Sequence, residues 1–371
     1  MTTITAKIQI YVPQEKVESL LVTTRSYRKA CNFVSRKIFE TKMLKQRPIH
    51  DLYYHELRSA FGLKSQMAQS VIKTVIARYK SAKSNGHDWS LIRFQNPEYD
   101  LVWNRDYSLV QDTFSVNTID GRIKCSYETK GTEHFFVDNW KFGTAKVVFQ
   151  HKKWFLHIPM TKAFSELQDE DVSQVVGIDL GLNFLATTYD SQGKTLFYNG
   201  KSFKHKRAKY KALRKQLQQK QTASARRRLQ SIGSRENRWM MDINHRITKA
   251  LVNQYGDHTL FVLEDLQGVR HATEKVKVCN RYVSVSWAFY QFRRMLEYKA
   301  RMNRQKVMVV NPKYTSQTCP NCGHVEKSNR DKKKHLFCCK NCHYRSNDDR
   351  IGAMNLQRLG IEYIVEVTTG A

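Results

Sequence analysis

The chain has 371 residues, 41% of them hydrophobic, so it is long enough to form two or three hydrophobic cores. Lys and Arg number 63 against 33 Asp and Glu, a formal net charge of +30. Such an excess of positive charge is typical of proteins that bind nucleic acid, with a basic membrane-surface protein as the alternative. The sequence has no lipidation motif, signal peptide or apolar run of about 18 residues. We therefore expect a cytoplasmic protein with no membrane partner.

The first half of the chain combines a helical region with a β-rich one. Apolar residues recur at helical spacing between residues 13 and 87. Residues 1–12 alternate as a strand does, and residues 88–170 contain aromatic and β-branched runs that favour strands. These runs include residues 92–94, 135–137 and 154–158. We predict a β-rich domain (1–12 and 88–170) into which a helical domain (13–87) is inserted.

The second half alternates strands with helices. The patterns predict strands at 175–181, 185–190, 195–198, 259–264 and 306–311, the last one buried, and helices from 201 to about 238, from there to about 255, and from about 287 to 303. Another helical stretch covers residues 351–359. We predict one α/β domain over 171–311 and 344–371, interrupted by an inserted segment at 312–343.

The inserted segment contains four regularly spaced cysteines. Cys319 and Cys322 form one Cys-x-x-Cys pair, and Cys339 and Cys342 form a second pair sixteen residues later. Two such pairs predict a zinc ribbon with one structural Zn²⁺, because four thiolates leave no open coordination position. Cys338 could replace Cys339 as a ligand, but only Cys339 has the two-residue spacing to Cys342.

The remaining cysteines and the lack of a secretory signal argue against a disulfide framework. Cys31, Cys125 and Cys279 are scattered along the chain. The simplest interpretation is that these three are small buried hydrophobic residues.

Three acidic residues stand at the ends of predicted elements. Asp179 lies in an apolar strand, Glu264 ends another, and Asp349 opens a helix. Burying a carboxylate is costly unless it is paired or binds metal. In a very basic protein, three converging acids suit two-metal phosphodiester cleavage with Mg²⁺. The alternatives are structural: Glu264 with Asp265 could end the strand, and Asp348 could cap the helix.

The order of these motifs resembles the TnpB proteins of bacterial and archaeal insertion sequences, which are RuvC-type, RNase H-like nucleases. The segments that carry the resemblance are 177–181, 263–266, 314–323 and 349–356. In the last segment Ile351 and Gly352 replace the asparagine and alanine that are usual in the family, and the fit assigns the acid to Asp349. The resemblance covers about residues 171–371 with specific motifs and the first half more loosely.

The resemblance implies an RNA-guided DNA endonuclease. Such a protein would bind a guide RNA from the transposon end and cleave double-stranded target DNA beside a short adjacent motif. It also implies a multidomain α+β fold, in which a RuvC domain carries the zinc ribbon and a β-barrel-like wedge domain carries a helical recognition insertion. Asp179 would bridge two Mg²⁺ ions, while Glu264 and Asp349 would each complete one. We expect a monomer rather than a dimer.

Basic residues between 201 and 238 predict a nucleic-acid surface. Glu236 is the only acid in this run, which argues against a helix face neutralised by intrahelical ion pairs. The candidate contacts are Lys204, Lys206, Arg207, Lys211, Arg214, Arg226, Arg227 and Arg228, with Lys332 and Lys333 in a basic ribbon tip that also contains Lys327, Arg330 and Lys334.

Other functions are less compatible with the sequence. A guided DNA-binding regulator that has lost cleavage would be expected to lack one of the three acids. A small type V CRISPR-like effector shares the same motifs and remains an alternative. A tyrosine-type transposase would need a His-x-His-like pair, and an ATP-driven helicase would need a Gly-x-x-x-x-Gly-Lys-Ser/Thr loop; the sequence contains neither.

Overall fold

The structure, a computed structural model, describes the chain in two compact units, Met1–Ala163 and Phe164–Ala371. The description leaves out positions 97, 111–112, 130, 138, 151, 267–288, 312, 333 and 371, and the side chain of residue 137. Within the described residues, one large sheet dominates the first unit, and the second unit contains a smaller mixed sheet and a short three-stranded sheet.

The first unit is built on an antiparallel sheet. Its strands are β1 (Thr2–Tyr11), β2 (Glu98–Leu101), β3 (Tyr107–Val110), β4 (Thr113–Thr118), β5 (Gly121–Glu128), β6 (Lys141–Phe142), β7 (Ala145–Gln150) and β8 (Lys153–Lys162). They lie in the order β2-β7-β8-β1-β5-β4-β3, with β6 paired to β8. Strand β1 thus pairs with strands that follow the helical region in sequence. Its alternating pattern buries Ala6, Ile8 and Ile10 on one face.

Helices occupy the chain between β1 and β2. They are α1 (Val17–Thr41), α2 (Gln46–Ser59) and α3 (Ser65–Ser84), and a one-turn helix, α4 (His134–Val137), follows β5. In α1, Leu20, Tyr27 and Val34 are buried at seven-residue intervals, a spacing that keeps side chains on one helix face. In α3, Val71 and Val75 are buried one turn apart. Helices α1 and α3 contact each other, and Ser35 Oγ of α1 lies 3.1 Å from the Tyr79 hydroxyl of α3.

Two predicted strand segments have other structures. The run at 135–137 belongs to α4. The segment around Ile92 is irregular, because its backbone groups bond to side chains of α1 instead of a neighbouring strand. Asn32 Oδ1 accepts a hydrogen bond from the Phe94 amide (2.8 Å), and Ser35 Oγ donates to the Ile92 carbonyl (2.6 Å). These bonds satisfy backbone groups that a strand ladder would otherwise satisfy.

The second unit is built on a five-stranded mixed sheet. Its strands are β9 (Gln174–Asp179), β10 (Phe184–Tyr189), β11 (Thr195–Asn199), β12 (Thr259–Glu264) and β13 (Lys306–Val310), in the order β11-β10-β9-β12-β13. Strands β9, β10 and β11 are antiparallel, whereas β12 is parallel to both β9 and β13. The predicted strands of this region are confirmed. Strand β13 is half-buried, not buried as predicted, because it lies at the edge of the sheet.

Helices cover both faces of this sheet. They are α5 (Lys201–Lys220), α6 (Ala223–Gln254), α7 (Phe289–Met302) and α8 (Asp348–Thr369). One face, with Ile178 and Phe261, packs against α6 and α7, for example against Phe292. The opposite face, with Val262, packs against Leu356 of α8. Neighbouring residues of one strand thus enter separate cores, as the two-residue period of a strand requires.

Helix α8 approaches β9 closely at Gly177. A Cβ atom at this position would lie 2.0 Å from the Ala353 carbonyl oxygen and 2.5 Å from the Gln357 amide nitrogen. Only glycine allows this contact between two backbones. Gly177 thereby brings the start of α8 beside the end of β9.

The predicted single helix from 201 to about 238 is wrong. The chain breaks at Gln221, which has φ +50°, and α6 begins two residues later. Thr222 caps α6, since its Oγ1 accepts a hydrogen bond from the Ala225 amide (3.2 Å). Together α5 and α6 form a helical hairpin.

A three-stranded sheet lies in sequence between β13 and α8. Its strands are β14 (Arg330–Asp331), β15 (Leu336–Cys338) and β16 (Arg345–Asn347), and β15 pairs with both neighbours. Cys319 and Cys322 lie before β14, and Cys339 and Cys342 lie between β15 and β16. We call residues 312–343 the ribbon. Across the residues that the structure describes, no helix combines the length and apolar composition needed to cross a bilayer.

Candidate active site and cysteine cluster

Asp179 and Glu264 end two neighbouring parallel strands. Asp179 is the last residue of β9 and Glu264 the last of β12, and Ile178 lies opposite Leu263 in the register. The carboxyl ends of parallel strands meet at one sheet edge, which is where ligands bind in open α/β sheets. The structure therefore brings these two predicted acids together, both half-buried.

Asp349 joins them from the first turn of α8. The cap of this helix is Asn347, whose Oδ1 accepts hydrogen bonds from the amides of Asp349 (3.0 Å) and Arg350 (3.1 Å). The alternative that Asp348 is the cap is therefore wrong. Asp349 is close enough to Asp179 for its charge to raise the pKa of that carboxyl group. The structure thus assembles all three predicted acids in one place, which we call the acid cluster.

Gly352 leaves room for the Asp179 side chain. A Cβ atom at position 352 would lie 3.0 Å from Asp179 Cγ and 3.2 Å from its Oδ1. These separations are shorter than ordinary van der Waals contact. The glycine that departs from the TnpB pattern is thus in direct contact with the first acid of the cluster.

Burial raises the pKa of all three acids. Burial raises the pKa of Asp179 well above its usual range, and the charges of Glu264 and Asp349 raise it further. Burial also raises the pKa of Glu264. Burial raises the pKa of Asp349 as well, and the neighbouring charge of Asp348 raises it further. Carboxylates that repel one another in a partly buried site favour a bound cation.

Arg330 supplies positive charge beside the cluster. The sequence analysis assigned Arg330 to the basic ribbon tip. In the structure Arg330 lies in β14, and its side chain contacts acids at the start of α8. Its Nε lies 2.8 Å from Asp348 Oδ2 and its Nη2 3.6 Å from Asp349 Oδ1. Its charge lowers the pKa of all three cluster acids, against the effect of burial. Sequence analysis missed this role because only strand pairing within the ribbon brings residue 330 next to residue 348.

Two polar residues connect the acid cluster to the ribbon. Thr315 Oγ1 donates a hydrogen bond to Glu264 Oε1, which partly offsets the rise in the pKa of Glu264. The buried Asn355 donates from Nδ2 to the carbonyls of Thr315 (2.7 Å) and Thr318 (2.8 Å). Asn355, part of the third motif, therefore fixes the start of the ribbon instead of contacting the acids.

The four spaced cysteines form one compact cluster. The sulfur atoms of Cys319, Cys322, Cys339 and Cys342 all lie within 4.8 Å of one another. The Cys319–Cys342 and Cys322–Cys339 sulfur pairs are each 3.6 Å apart. Tetrahedral zinc with Zn–S bonds of about 2.3 Å separates sulfurs by roughly 3.8 Å, so this geometry is compatible with zinc. The cluster does not include Cys338.

Side-chain amide groups donate hydrogen bonds to two of the four sulfurs, those of Cys322 and Cys342. Asn321 Nδ2 donates to Cys342 Sγ and Asn341 Nδ2 to Cys322 Sγ, each at 3.6 Å. The Asn321 bond and the Tyr344 backbone lower the pKa of Cys342 to about 6. Elsewhere Cys31 and Cys125 are buried, as predicted for core cysteines, and Cys279 lies outside the described residues.

Arg207 contradicts the predicted nucleic-acid surface. Its side chain is buried, and its Nη1 lies 2.8 Å from Oε1 of the buried Glu236. Arg214 pairs with the other oxygen of the same carboxylate. Glu236 is the only acid of the basic run, and the hairpin turn brings it back against α5, where it pairs with both arginines. Arg207 therefore joins the two helices, and its side chain is buried between them instead of lying on the predicted surface.

The other candidate contacts are accessible. Lys206, Lys211, Arg226, Arg227, Arg228 and Lys332 are exposed, and Lys204 is half-exposed. The charge of Lys204 lowers the pKa of Asp349, so the start of α5 lies near the acid cluster. Lys206 Nζ lies 4.5 Å from the centre of the Trp239 ring. Lys333 lies outside the described residues. Contact of these side chains with nucleic acid stays a prediction.

Two family models match the chain. The model described as "Probable transposase" matches residues 157–271, which include Asp179 and Glu264. The model described as "Cas12f1-like, TNB domain" matches residues 289–356, which include the ribbon and Asp349. The matched regions together contain the whole acid cluster and all four clustered cysteines.

Curated relatives match over half of the chain or more. A CRISPR-associated endodeoxyribonuclease Cas12f1 of Syntrophomonas palmitatica is 24% identical over 72% of this chain and 59% of its own length. InsQ of Escherichia coli, provisionally named an RNA-guided DNA endonuclease, is 30% identical over 56% of this chain and 54% of its own. The TnpB-like protein MJ0751 of Methanocaldococcus jannaschii is 26% identical over 60% of this chain and 81% of its own length. The chain thus spans little more than half of the first two relatives.

A solved structure shares the fold. The Cas12f1 chain in a cryo-EM structure of a Cas12f1-sgRNA-target DNA complex superposes with a TM-score of 0.63 and 13% sequence identity, covering 96% of this chain and 98% of that one. The predicted multidomain α/β architecture with an inserted ribbon-like domain is therefore confirmed at this level. The motifs in the sequence, the two family models and the TnpB-like relatives agree that the chain is similar to TnpB and Cas12f proteins.

Proposed function

We propose that this protein is an RNA-guided DNA endonuclease that hydrolyses DNA at one site formed by Asp179, Glu264 and Asp349. The observation that carries the proposal is the convergence of these acids at one sheet edge, with the pKa of each raised. The names of the relatives support it, since Cas12f1 is called an endodeoxyribonuclease and was solved with sgRNA and target DNA.

The acid cluster is suited to divalent cations. Asp179, Glu264 and Asp349 would hold two Mg²⁺ ions, because carboxylate oxygens are the ligands that Mg²⁺ prefers. Bound there, the ions would activate the attacking water and stabilise the leaving oxygen. Thr315 orients the carboxylate of Glu264, and Arg330 offsets part of the negative charge that the cluster carries without cations.

The cysteine cluster would hold one structural Zn²⁺. Its four sulfur atoms occupy all positions of a tetrahedral ion, so the zinc would take no part in hydrolysis. Its contribution would be to the folding of the ribbon. The ribbon in turn carries Arg330 and Thr315, which contact the acids.

The sheet that carries the acids supports a division of the chain into domains. We assign residues 171–311 and 344–371 to a RuvC-type, RNase H-like nuclease domain with the ribbon inserted at 312–343. A mixed sheet with helices on both faces and acids at the ends of the parallel strands supports this assignment. We assign residues 1–12 and 88–170 to a barrel-like wedge domain, which lies in the first unit except for residues 164–170. Residues 13–87 would form its recognition domain.

The partners are a guide RNA and double-stranded target DNA. A net charge of +30 and the exposed basic side chains of α5 and α6 suit phosphate contacts that carry no sequence information. Base pairing with the guide would then supply sequence specificity. We expect a monomeric, cytoplasmic protein associated with a transposon.

Sequencing of the RNA that co-purifies with the protein is the direct test. The protein would be expressed together with its native flanking DNA. We expect one discrete structured RNA, and the isolated complex should cut a DNA that matches the end of that RNA in the presence of Mg²⁺. Random host RNA would contradict guided action. Guided binding without cutting would instead favour the regulator without cleavage.

A further inference from the structure

Arg330 stands between two carboxylates but forms a hydrogen bond with only one. Its Nε is 2.8 Å from Asp348 Oδ2, whereas its Nη2 is 3.6 Å from Asp349 Oδ1. The second separation is too long for a hydrogen bond. A guanidinium presents its donors in a rigid fork, so the bond to Asp348 also sets how closely the other nitrogens approach Asp349.

Asp348 lies beside the acid cluster: its carboxylate, that of Asp349 and the His335 ring have ligand atoms within 4.8 Å of one another. It is only 1% exposed, it is not the cap of α8, and it precedes the acid that the family motif selects. Its side chain contacts the ribbon: Arg330 on one oxygen and His335 Nδ1 at 3.5 Å from the other. That second oxygen also accepts a hydrogen bond from the Asp349 amide (3.1 Å). A buried carboxylate without such partners would destabilise the folded protein. The ion pair with Arg330 therefore offsets the free-energy cost of burying Asp348.

We propose that Asp348 is a positioning residue for the acid cluster: it holds Arg330 in a buried ion pair and so keeps the guanidinium from pairing directly with Asp349, whose carboxylate stays available to a divalent cation. Without Asp348, Asp349 is the nearest acid, and a shift of less than about 1 Å would bring Arg330 within hydrogen-bond distance of it. The inference rests on the proposed metal site but concerns cation binding, which can be measured without guide or DNA.

The test measures Mn²⁺ binding to the full-length, zinc-loaded protein by electron paramagnetic resonance. Mn²⁺ is the probe because it takes the same oxygen ligands as Mg²⁺. Asp348→Asn keeps the shape and one acceptor oxygen but removes the charge. We expect this variant to bind Mn²⁺ about ten- to a hundredfold more weakly, the usual cost of losing a group that supports a metal ligand.

Removal of Arg330 separates positioning from simple charge effects. Arg330→Gln should restore wild-type Mn²⁺ affinity in the Asp348→Asn background. The gain should be much smaller in the wild-type protein, where the pair with Asp348 already holds the guanidinium away from Asp349. Two independent charges would instead give additive effects, and a purely structural defect would not be rescued by a second substitution. Additive behaviour, or unchanged Mn²⁺ binding in a folded Asp348→Asn protein, would overturn the proposal.

Two controls make every outcome informative. Glu236→Gln removes another buried acid paired with arginines, far along the chain from the ribbon, and should lower thermal stability without changing Mn²⁺ affinity. Zinc content and melting temperature report folding, and Asp348→Ser replaces Asp348→Asn if the latter does not fold. If Asp179→Asn leaves Mn²⁺ binding unchanged, the acid cluster is not a cation site, and the proposed hydrolytic mechanism fails together with this inference.

Discussion

The acid cluster and the cysteine cluster are both suited to metal ions, but the chain assembles them in opposite ways. The four cysteines come from one short segment, 319–342, and two tight turns bring their sulfur atoms together. The acids come from the ends of β9 and β12 and from the start of α8. Strand pairing and helix packing must both form before these three meet. One site is therefore a local property of the sequence and the other a property of the fold.

The two clusters also differ in electrostatics. Around the cysteines, amide donors favour the ionised form, and the pKa of Cys342 falls to about 6. Around the acids, burial opposes ionisation, and the pKa of Asp179 rises well above its usual range. The fold thus holds the acids together against the cost of burying them, whereas in the ribbon local hydrogen bonds lower the pKa of Cys322 and Cys342 and burial raises that of Cys319 to about 12. Substitutions in the two clusters should have correspondingly different effects.

The largest effect is expected for Asp179→Ala. The variant should cut matched DNA at below about one thousandth of the wild-type rate, because the proposed two-cation site loses the ligand shared by both ions. Binding of RNA and DNA should persist, since Asp179 contributes nothing to the basic surface. Single-turnover cleavage and a filter-binding assay measure the two quantities. Cutting at near wild-type rate would remove Asp179 from the active site.

Cys319→Ser should affect folding first and cutting only as a consequence. Loss of one thiolate from a closed four-sulfur site should release the zinc, whose binding contributes on the order of 10 kcal/mol to small zinc domains. Metal analysis and the melting temperature measure this loss. Cys338→Ser is the matched control, because Cys338 is adjacent in sequence but outside the cluster. Equal zinc content in the two variants would refute the assigned ligand set.

The pH dependence of stability should distinguish the acid cluster from an ordinary carboxylate surface. Because the folded-state pKa of Asp179 is raised, the folded protein binds more protons than the unfolded chain between the usual carboxyl range and that raised value. In this window stability falls as pH increases. Without Mg²⁺, Asp179→Asn should therefore melt at a higher temperature than wild type near neutral pH and lose this advantage in acid. Parallel melting curves across pH would contradict the raised pKa.

The contrast between the clusters explains how much the sequence could predict. The cysteine ligands followed from spacing alone, since turn geometry requires no knowledge of the fold. The strands that carry Asp179 and Glu264 followed from apolar runs, but their adjacency depended on the order of family motifs. What failed was long-range pairing: Arg330 and Arg207 both looked like free basic residues. Each has an acidic partner, Asp348 or Glu236, that only the tertiary structure brings near.

The limits of helices and strands were also mispredicted where contacts outside the local sequence determine them. The break at Gln221 was missed because a polar, basic run continues through it, and only the cap at Thr222 marks the new helix. The segment around Ile92 has strand-like composition, yet hydrogen bonds from α1 give it an irregular structure. In both places local composition was a weaker determinant than the partners of the backbone groups.

The smallest effect is expected for Gly352→Ala. The new methyl group would press on Asp179, whose Cγ lies 3.0 Å from the added atom, while alanine also favours the helix by about 0.5–1 kcal/mol. Stability should therefore change little, and a carboxylate displaced by a few tenths of an ångström should slow cutting by roughly threefold to tenfold. Gly233→Ala is the matched control, since that glycine lies within α6 with open space around its Cβ position. It should stabilise the protein without slowing cleavage. Equal rates for the two variants would mean that the acid cluster tolerates movement of Asp179, and that Gly352 marks close packing of α8 alone.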